Sequence, residues 1–516
     1  MIKFVTNGKI QYRRLAVPAG AVRVMPGGDL KVCREALAAL ARAAFADLEF
    51  FLPADHVAGL ARIARDRRAA PGERLVAAEL IKNAVAAAWG VFPLCQDTGT
   101  ATVTAWKGEG VRTGADDAAI LAASARAAWR GHYFRHSQVA PLTMFDEKNT
   151  GDNLPAQIDI YAMPGSEYHF LFIAKGGGSS NKTVFIQGTK AVLNDKSLAG
   201  LLAEQIGALG TAACPPYHLA VVIGGTSPEN NLAMLKLATA GCLDGLPLTG
   251  DRAGRAFRDR AWEKRVMAMA RATGLGAQFG GKHLVMDARV IRLPRHAASC
   301  PISIGVSCCA HRNVRGKITA RGVFLEELER NPARFLAACR GMPEITARVS
   351  LDQPMENILA ELKKHKPGEL LLLDGTLIVA RDMAHALFNK ALRAGGKVPE
   401  YLKKHPVFYA GPAETPPGKV IGSLGPTTAA RMDPYVPELM AKGASLVMIA
   451  KGNRSPAVAE ACRSYGGFYL AAIGGAAALA AQEHVVSSEV IDYAGLGMEA
   501  VRRIRVKNLP VMLVLP

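Results

Sequence analysis

Apolar residues recur at helical spacing early in the chain. Leu37, Leu40, Ala41, Ala44, Phe45 and Leu48 fall on one face of a 3.6-residue repeat and predict a helix. A second helical segment opens at Pro71, where a missing backbone N–H is not needed, and stops at Gly90. The first ninety residues therefore read as helical. Alternation takes over afterwards: residues 157–162 and 168–174 predict strands, because alternate side chains on a strand face opposite ways. The second of these runs into Lys175-Gly176-Gly177-Gly178-Ser179-Ser180-Asn181-Lys182-Thr183. Residues 218–225 read as a buried strand ending in glycine, with a helix from Glu229.

Between about Glu326 and Gln353 the pattern becomes charged and proline-interrupted, at Asn331-Pro332, Met342-Pro343 and Gln353-Pro354. That stretch divides the chain into residues 1–330, a linker at 331–353, and residues 354–516. Strands are predicted beyond it at 370–374, 376–380, 407–410, 445–450, 468–471 and 511–515, with helices between several of them. The expected fold class is mixed α/β in two domains, the first helix-rich and the second smaller. A length of 516 residues fits this, since one hydrophobic core rarely extends so far.

No apolar run approaches the roughly 20 residues of a membrane-spanning helix. The longest candidate, 471–481, is mostly Ala and Gly and reads as the start of a tightly packed helix. Lys3, Lys9, Arg13, Arg14 and Arg23 precede the first acidic residue, Asp29, as in a transit peptide, but Pro18, Gly20, Pro26 and the lack of Ser argue against one. A cytoplasmic protein is expected. Lys and Arg (63) exceed Asp and Glu (44) by 19, a balance that could draw nucleic acid, anionic lipid or small acidic substrates. The charge is dispersed, with no aromatic-interleaved basic stripe, so a locally cationic pocket outweighs nucleic-acid binding and no membrane partner is expected.

Gly176 through Thr183 fits a phosphate-binding loop except that Asn181 stands where the second glycine would give the loop its curl. A nucleotide site is therefore disfavoured against a tight turn or a carboxylate-binding turn. Nine cysteines at irregular spacing suggest no disulfide framework. Cys33, Cys242, Cys300, Cys339 and Cys462 sit in apolar or helical contexts and read as small core residues. Cys95, Cys214 and Cys308 sit in polar, turn-forming strings instead: Pro93-Leu94-Cys95-Gln96-Asp97-Thr98-Gly99-Thr100, Ala213-Cys214-Pro215-Pro216-Tyr217-His218, and Gly305-Val306-Ser307-Cys308-Cys309-Ala310-His311-Arg312.

These strings, in this order, resemble the motifs of the class I fumarases, the iron–sulfur-dependent fumarate hydratases. The resemblance runs from about Tyr12 to near the C-terminus. It includes Asn149-Thr150-Gly151 and Asn153-Leu154-Pro155-Ala156-Gln157, the Lys175 glycine turn, Gly224-Gly225-Thr226-Ser227 and Arg292-Leu293-Pro294-Arg295-His296. It continues through Gly375-Thr376-Leu377-Ile378-Val379-Ala380-Arg381-Asp382, Gly422-Ser423-Leu424-Gly425-Pro426-Thr427-Thr428 and Ala450-Lys451-Gly452-Asn453-Arg454-Ser455.

The resemblance implies a [4Fe–4S] cluster held by Cys95, Cys214 and Cys308, with one iron left open to act as a Lewis acid on a small dicarboxylate, fumarate or L-malate. Cys309 beside the third ligand is implied to be a packing or substitute thiol. Arg135, Arg381, Arg431 and Lys451 are implied to meet the substrate carboxylates, Gln96 and His296 to make polar contacts, and Gly178 a backbone contact. Thr427 is the implied base for the carbon-bound proton, helped by Asp97, with Asp97 itself as the rival. His136 stands where the family usually has Tyr. The family further implies a homodimer and a C-terminal domain of swivelling β/β/α type. A dehydratase of the same fold acting on tartrate or mesaconate is the nearest alternative, and a basic nucleic-acid or phosphate-binding protein the alternative of a different class.

Overall fold

A computed structural model describes residues 10–342 and 345–515. Pro343, one of the interrupting prolines, and Lys3 and Lys9 lie outside the described residues.

The helical periodicity near the start becomes the helix Arg34–Phe50, whose apolar face is fully buried. Two more helices, Ala54–Arg65 and Pro71–Ala87, follow it. The opening residues are not all helical, however: Tyr12–Arg14, Val22–Val24 and Leu30–Val32 are short strands. Their strand state comes from remote pairing, Tyr12 lying opposite Glu326, which a local periodicity cannot register.

Residues before 330 supply two large sheets. The six-stranded one runs in the order Tyr12–Arg14, Gly322–Glu326, Asn313–Thr319, Tyr168–Lys175, Thr100–Gly108, Gln157–Met163. The five-stranded one runs Val184–Gly188, Cys300–Ser307, Tyr217–Gly225, Val285–Arg295, Phe257–Arg258. Tyr217–Gly225 sits at its centre and is buried at every position, which explains why its sequence is nearly continuous in apolar residues.

Residues after 346 supply a seven-stranded sheet in the order Ala347–Ser350, Leu370–Val379, Val407–Phe408, Val447–Ala450, Phe468–Ala472, Val501–Leu515, Val485–Asp492. Leu370–Val379 also pairs with Val501–Leu515, so five of these strands close into a ring. The first strand of this sheet lies inside the stretch expected as linker. Residues 370–374 and 376–380, expected as two strands, form one. Gly375 between them adopts a φ of +125° at a register shift, the usual role of a glycine within a strand. The strand expected at 511–515 begins ten residues earlier, because Arg502, Arg503, Arg505 and Lys507 are interspersed with buried Val501, Ile504 and Val506 and mask the apolar signal.

The two halves share cores. Val57, Ala84, Phe92 and Leu94 pack in one cluster with Leu371, Leu377, Phe408 and Ile449 of the ring. Leu60, Val76 and Ile81 join Cys214, Cys309, Leu370 and Ile473 in another. The loops carrying the cysteines therefore emerge at the seam between the halves, held by apolar packing on both sides. No helix among the described residues is long and apolar enough to cross a membrane.

Candidate active site

Cys95 lies in the loop between the helix Pro71–Ala87 and the strand Thr100–Gly108. Each half of the molecule pins that loop: Asn83 Nδ2 donates to the Leu94 carbonyl at 2.9 Å and Ser423 Oγ to the Pro93 carbonyl at 2.7 Å. Cys214 holds a left-handed backbone at φ +62°, rare for a residue with a side chain and concentrated at functional sites. Cys308 follows the strand Cys300–Ser307. The Cys309 amide donates to the Cys214 carbonyl at 3.1 Å and ties these two loops together.

The three thiols line one cleft of about 320 Å³. Its walls carry five cationic side chains, Arg135, Arg312, Arg381, Arg431 and Lys451, against a single carboxylate, Asp97. A cavity of about 400 Å³ on the other side of Lys451 is lined by no thiol and no other charged group. Five cations against one carboxylate beside the thiols suit a small anion with more than one charged oxygen group.

The thiols differ in acidity for identifiable reasons. The Cys309 thiol donates to Cys308 and, against the opposing effect of burial, brings its pKa down to about 5, with help from Ser179 and Arg312. Cys214 falls to about 7 for the same first reason, again against burial, and with help from Lys451, whose Nζ lies 2.8 Å from its Sγ. Burial dominates at Cys95 and pushes its thiol up to about 12. Cys309 itself is held protonated, well above the ordinary range, by the same two hydrogen bonds. It points away from the cleft: its sulfur packs towards Gly475, in the apolar cluster with Leu80. Thiolates, not thiols, ligate metals. Two of the three cleft cysteines are thus set to ligate, and the third would release a proton on doing so.

Those donors fit an iron–sulfur cluster better than a single ion. Among the described residues no group of three His, Cys, Asp or Glu side chains is arranged around one metal ion. Three thiols spread around an open cleft suit a polynuclear group that spaces its ligands, with uncommitted room on one side. The backbone leaves room as well: a Cβ on Gly474 would stand 2.3 Å from Cys214 Sγ.

Asp97 anchors the glycine turn. Its Oδ2 accepts from the Gly177 amide at 2.8 Å and its Oδ1 from the Gly99 amide at 3.1 Å. A Cβ on Gly176 would lie 3.0 Å from Oδ2, so glycine there lets the turn approach the carboxylate without displacing it. Burial opposes ionisation of Asp97, yet Arg135, Arg312, the Gly177 amide and Lys451 together hold its carboxyl below the usual range. Thr427 is fixed through its backbone, its amide donating to Tyr409 and its carbonyl accepting from Lys451. Arg381 is almost fully buried, whereas Arg431, on the turn Ala429–Arg431, is 42% exposed.

The family model for fumarate hydratase (fumerase) matches residues 38–318, and that for the fumarase C-terminus matches 322–516. The chain belongs to the class I fumarate hydratase family. It is 49% identical to fumarate hydratase 2 of Leishmania major, over 96% of this chain and 87% of that one. It is 51% identical to the aerobic class I fumarate hydratase of Escherichia coli, over 93% and 88%. The mitochondrial fumarate hydratase 1 of Leishmania major is 47% identical, over 100% and 95%.

Of the residues that the resemblance to class I fumarate hydratases picks out, Cys95, Gln96, Asp97, Arg135, Gly178, Cys214, Cys308, Arg381, Thr427, Arg431 and Lys451 all line the cleft. His296 does not. It is exposed in the turn between Val285–Arg295 and Cys300–Ser307, where its ring accepts from the Ala298 amide at 3.2 Å. His136, the departure from the family's Tyr, has its Nε2 3.2 Å from Glu414 of the other half.

Arg312 is a cleft residue that the sequence reading passed over, though it closes the third cysteine motif. It forms a buried ion pair at 2.7 Å with Glu49, both side chains within 1% of full burial, and the surrounding negative groups keep it charged although burial opposes this. A signal existed: Glu49 sits next to Leu48 on the buried side of an apolar helix, and a carboxylate there demands a partner.

The Gly474 contact makes a prediction. Gly474→Ala forces the Cys214 sulfur to move, so bound iron should fall well below wild type after reconstitution, and stability should drop by about 1–3 kcal/mol as in overpacked cores. Iron analysis and thermal unfolding measure both; wild-type iron content in this variant would contradict the close approach.

Proposed function

We propose that this chain is a hydro-lyase that interconverts fumarate and L-malate, with a [4Fe–4S] cluster held by Cys95, Cys214 and Cys308. The observation that carries the proposal is the single cleft in which three thiols from remote loops meet five cations and one carboxylate.

Two carboxylates leaving water lose strong hydration, and charge-assisted hydrogen bonds from guanidinium groups offset that loss. Arg135, Arg381, Arg431 and Lys451 supply them, Gln96 and the Gly178 backbone fix orientation, and their arrangement around one cleft selects a short dianion. When bound, the cluster's open iron supplies Lewis acidity that makes hydroxide a better leaving group.

The carbon-bound proton of malate lies next to a carboxylate and is weakly acidic. Thr427 takes it at Oγ1 as the alkoxide, its own hydroxyl proton having passed to cleft water beforehand, and the field of Arg381, Arg431 and Lys451 favours that alkoxide. As the proton leaves, charge develops on the adjacent carboxylate, where the same cations stabilise it. In hydration the proton returns from Thr427 to carbon. Asp97 keeps the glycine turn closed and balances part of the positive field.

The test is a substrate comparison on protein purified without oxygen and reconstituted with iron and sulfide. Fumarate should be hydrated with a kcat/KM well above those for mesaconate hydration and tartrate dehydration. A preference for either of the latter two would assign the site to that dehydratase instead.

A further inference from the structure

Two guanidinium groups of the cleft come from opposite halves of the chain, Arg135 from the first and Arg381 from the second. Placed together they repel, and Arg381 is 5% exposed, with little water to soften the repulsion. One side chain outside the cleft meets both. Glu499 Oε1 is hydrogen-bonded and ion-paired to Arg381 Nη2, and the same oxygen lies 3.9 Å from Arg135 Nη2. Glu499 is 15% exposed and closes the turn Ala494–Glu499. Both arginines line the cleft and Glu499 does not, so the carboxylate holds them from behind.

We propose that Glu499 is a positioning residue that clamps Arg381 and Arg135 across the seam, so that both guanidinium groups address one carboxylate of the substrate. The proposal rests on the dicarboxylate reading above for the identity of the anion. Three further features support it. Gly411 gives Arg381 its channel, since a Cβ there would lie 2.3 Å from Nη1. The other acidic side chain beside Arg381, Asp382, lies 3.8 Å from Arg381 Nε and 3.7 Å from Arg431 Nη1, so it bridges Arg381 to Arg431 within the second half rather than across the seam. Arg135 Nε, Arg381 Nε and Glu499 Oε2 are buried without a hydrogen-bond partner among the described residues, so the clamp does not use every donor of the two guanidinium groups. A planar guanidinium fixed by one carboxylate on one side is pre-organised for a second on the other.

The experiment uses the cluster-loaded full chain and compares wild type with Glu499→Gln and Glu499→Asp. Readouts are cluster absorbance and iron content, kcat and KM with fumarate, and the Kd of succinate, a dicarboxylate that cannot react, by calorimetry. In Glu499→Gln, iron content should match wild type, KM and the succinate Kd should rise about tenfold, the size of one lost charge-assisted contact, and kcat should fall less than KM rises. Glu499→Asp, which keeps the charge, should recover part of the succinate affinity. Tighter succinate binding in Glu499→Gln would overturn the proposal, because it would make Glu499 an internal competitor for the arginines. An unchanged Kd, or lost iron with unchanged KM, would overturn it too. If wild type binds succinate but does not hydrate fumarate, the functional reading fails while the succinate comparison still decides the role of Glu499.

Discussion

Replacing Cys95, Cys214 or Cys308 with serine is expected to remove bound iron, its visible absorbance and fumarate hydration together, whereas Cys309→Ser retains most of all three. Three ligands are the minimum for a cluster that keeps one iron open, so no single loss is absorbed. The fall in activity should exceed the roughly 10–100-fold that follows loss of a group merely supporting a ligand. The adjacent pair is the discriminating part. Cys308 lines the cleft and is brought down to a pKa of about 5, chiefly by the Cys309 thiol. Cys309 faces the apolar cluster and keeps its proton. A serine hydroxyl at 309 can still donate its one proton to Cys308 or Cys214, and Ser179, Arg312 and Lys451 still favour the two thiolates. Iron retained by Cys308→Ser and lost from Cys309→Ser would reverse the assignment. Iron and sulfide analysis beside visible spectra reads this without depending on turnover.

Thr427→Val is expected to lower kcat by about 10²–10⁴-fold with KM nearly unchanged, the range for loss of a general base. Valine keeps the shape and removes only the hydroxyl, so the cations that hold substrate stay in place. Asp97 is the rival base, and its surroundings weaken that case. Its two oxygens already accept from the Gly177 and Gly99 amides, and Arg135, Arg312 and Lys451 overcome burial to hold its carboxyl below the ordinary range, which makes it a poor proton acceptor. Asp97→Asn should therefore act differently, loosening the glycine turn and raising KM as well as lowering kcat. Exchange of the carbon-bound hydrogen of malate with solvent follows the base directly. Exchange that survives in Thr427→Val and vanishes in Asp97→Asn would move the role to Asp97.

Local pattern carried much of the fold. The spacing of Leu37 through Leu48 announced the helix Arg34–Phe50, and the run from His218 to Gly225 announced the central strand of the second sheet. What pattern missed depends on partners far away in the chain. Tyr12–Arg14 is a strand because Phe324 to Glu326 lie beside it, and the ring closes because Leu370–Val379 meets Val501–Leu515. The site divides in the same way. Cys95, Cys214 and Cys308 have no diagnostic spacing, so their convergence was legible only through the motifs around them. His296, carried by the same resemblance, lies outside the cleft. Arg312, Glu499 and Gly474 matter through contacts with Glu49, Arg381 and Cys214, each more than 100 positions distant; the buried position of Glu49 signals that a partner is needed but not which, and nothing local to Glu499 or Gly474 points to theirs.

We propose that hydration of fumarate depends on the group held by the three cleft cysteines. The direct measurement is the initial rate of malate formation from fumarate, taken without oxygen on aliquots reconstituted to different extents and plotted against bound iron and sulfide. The rate should rise in proportion to cluster content and approach zero in the iron-free protein. A colourless, iron-free aliquot that hydrates fumarate at the full rate would contradict it.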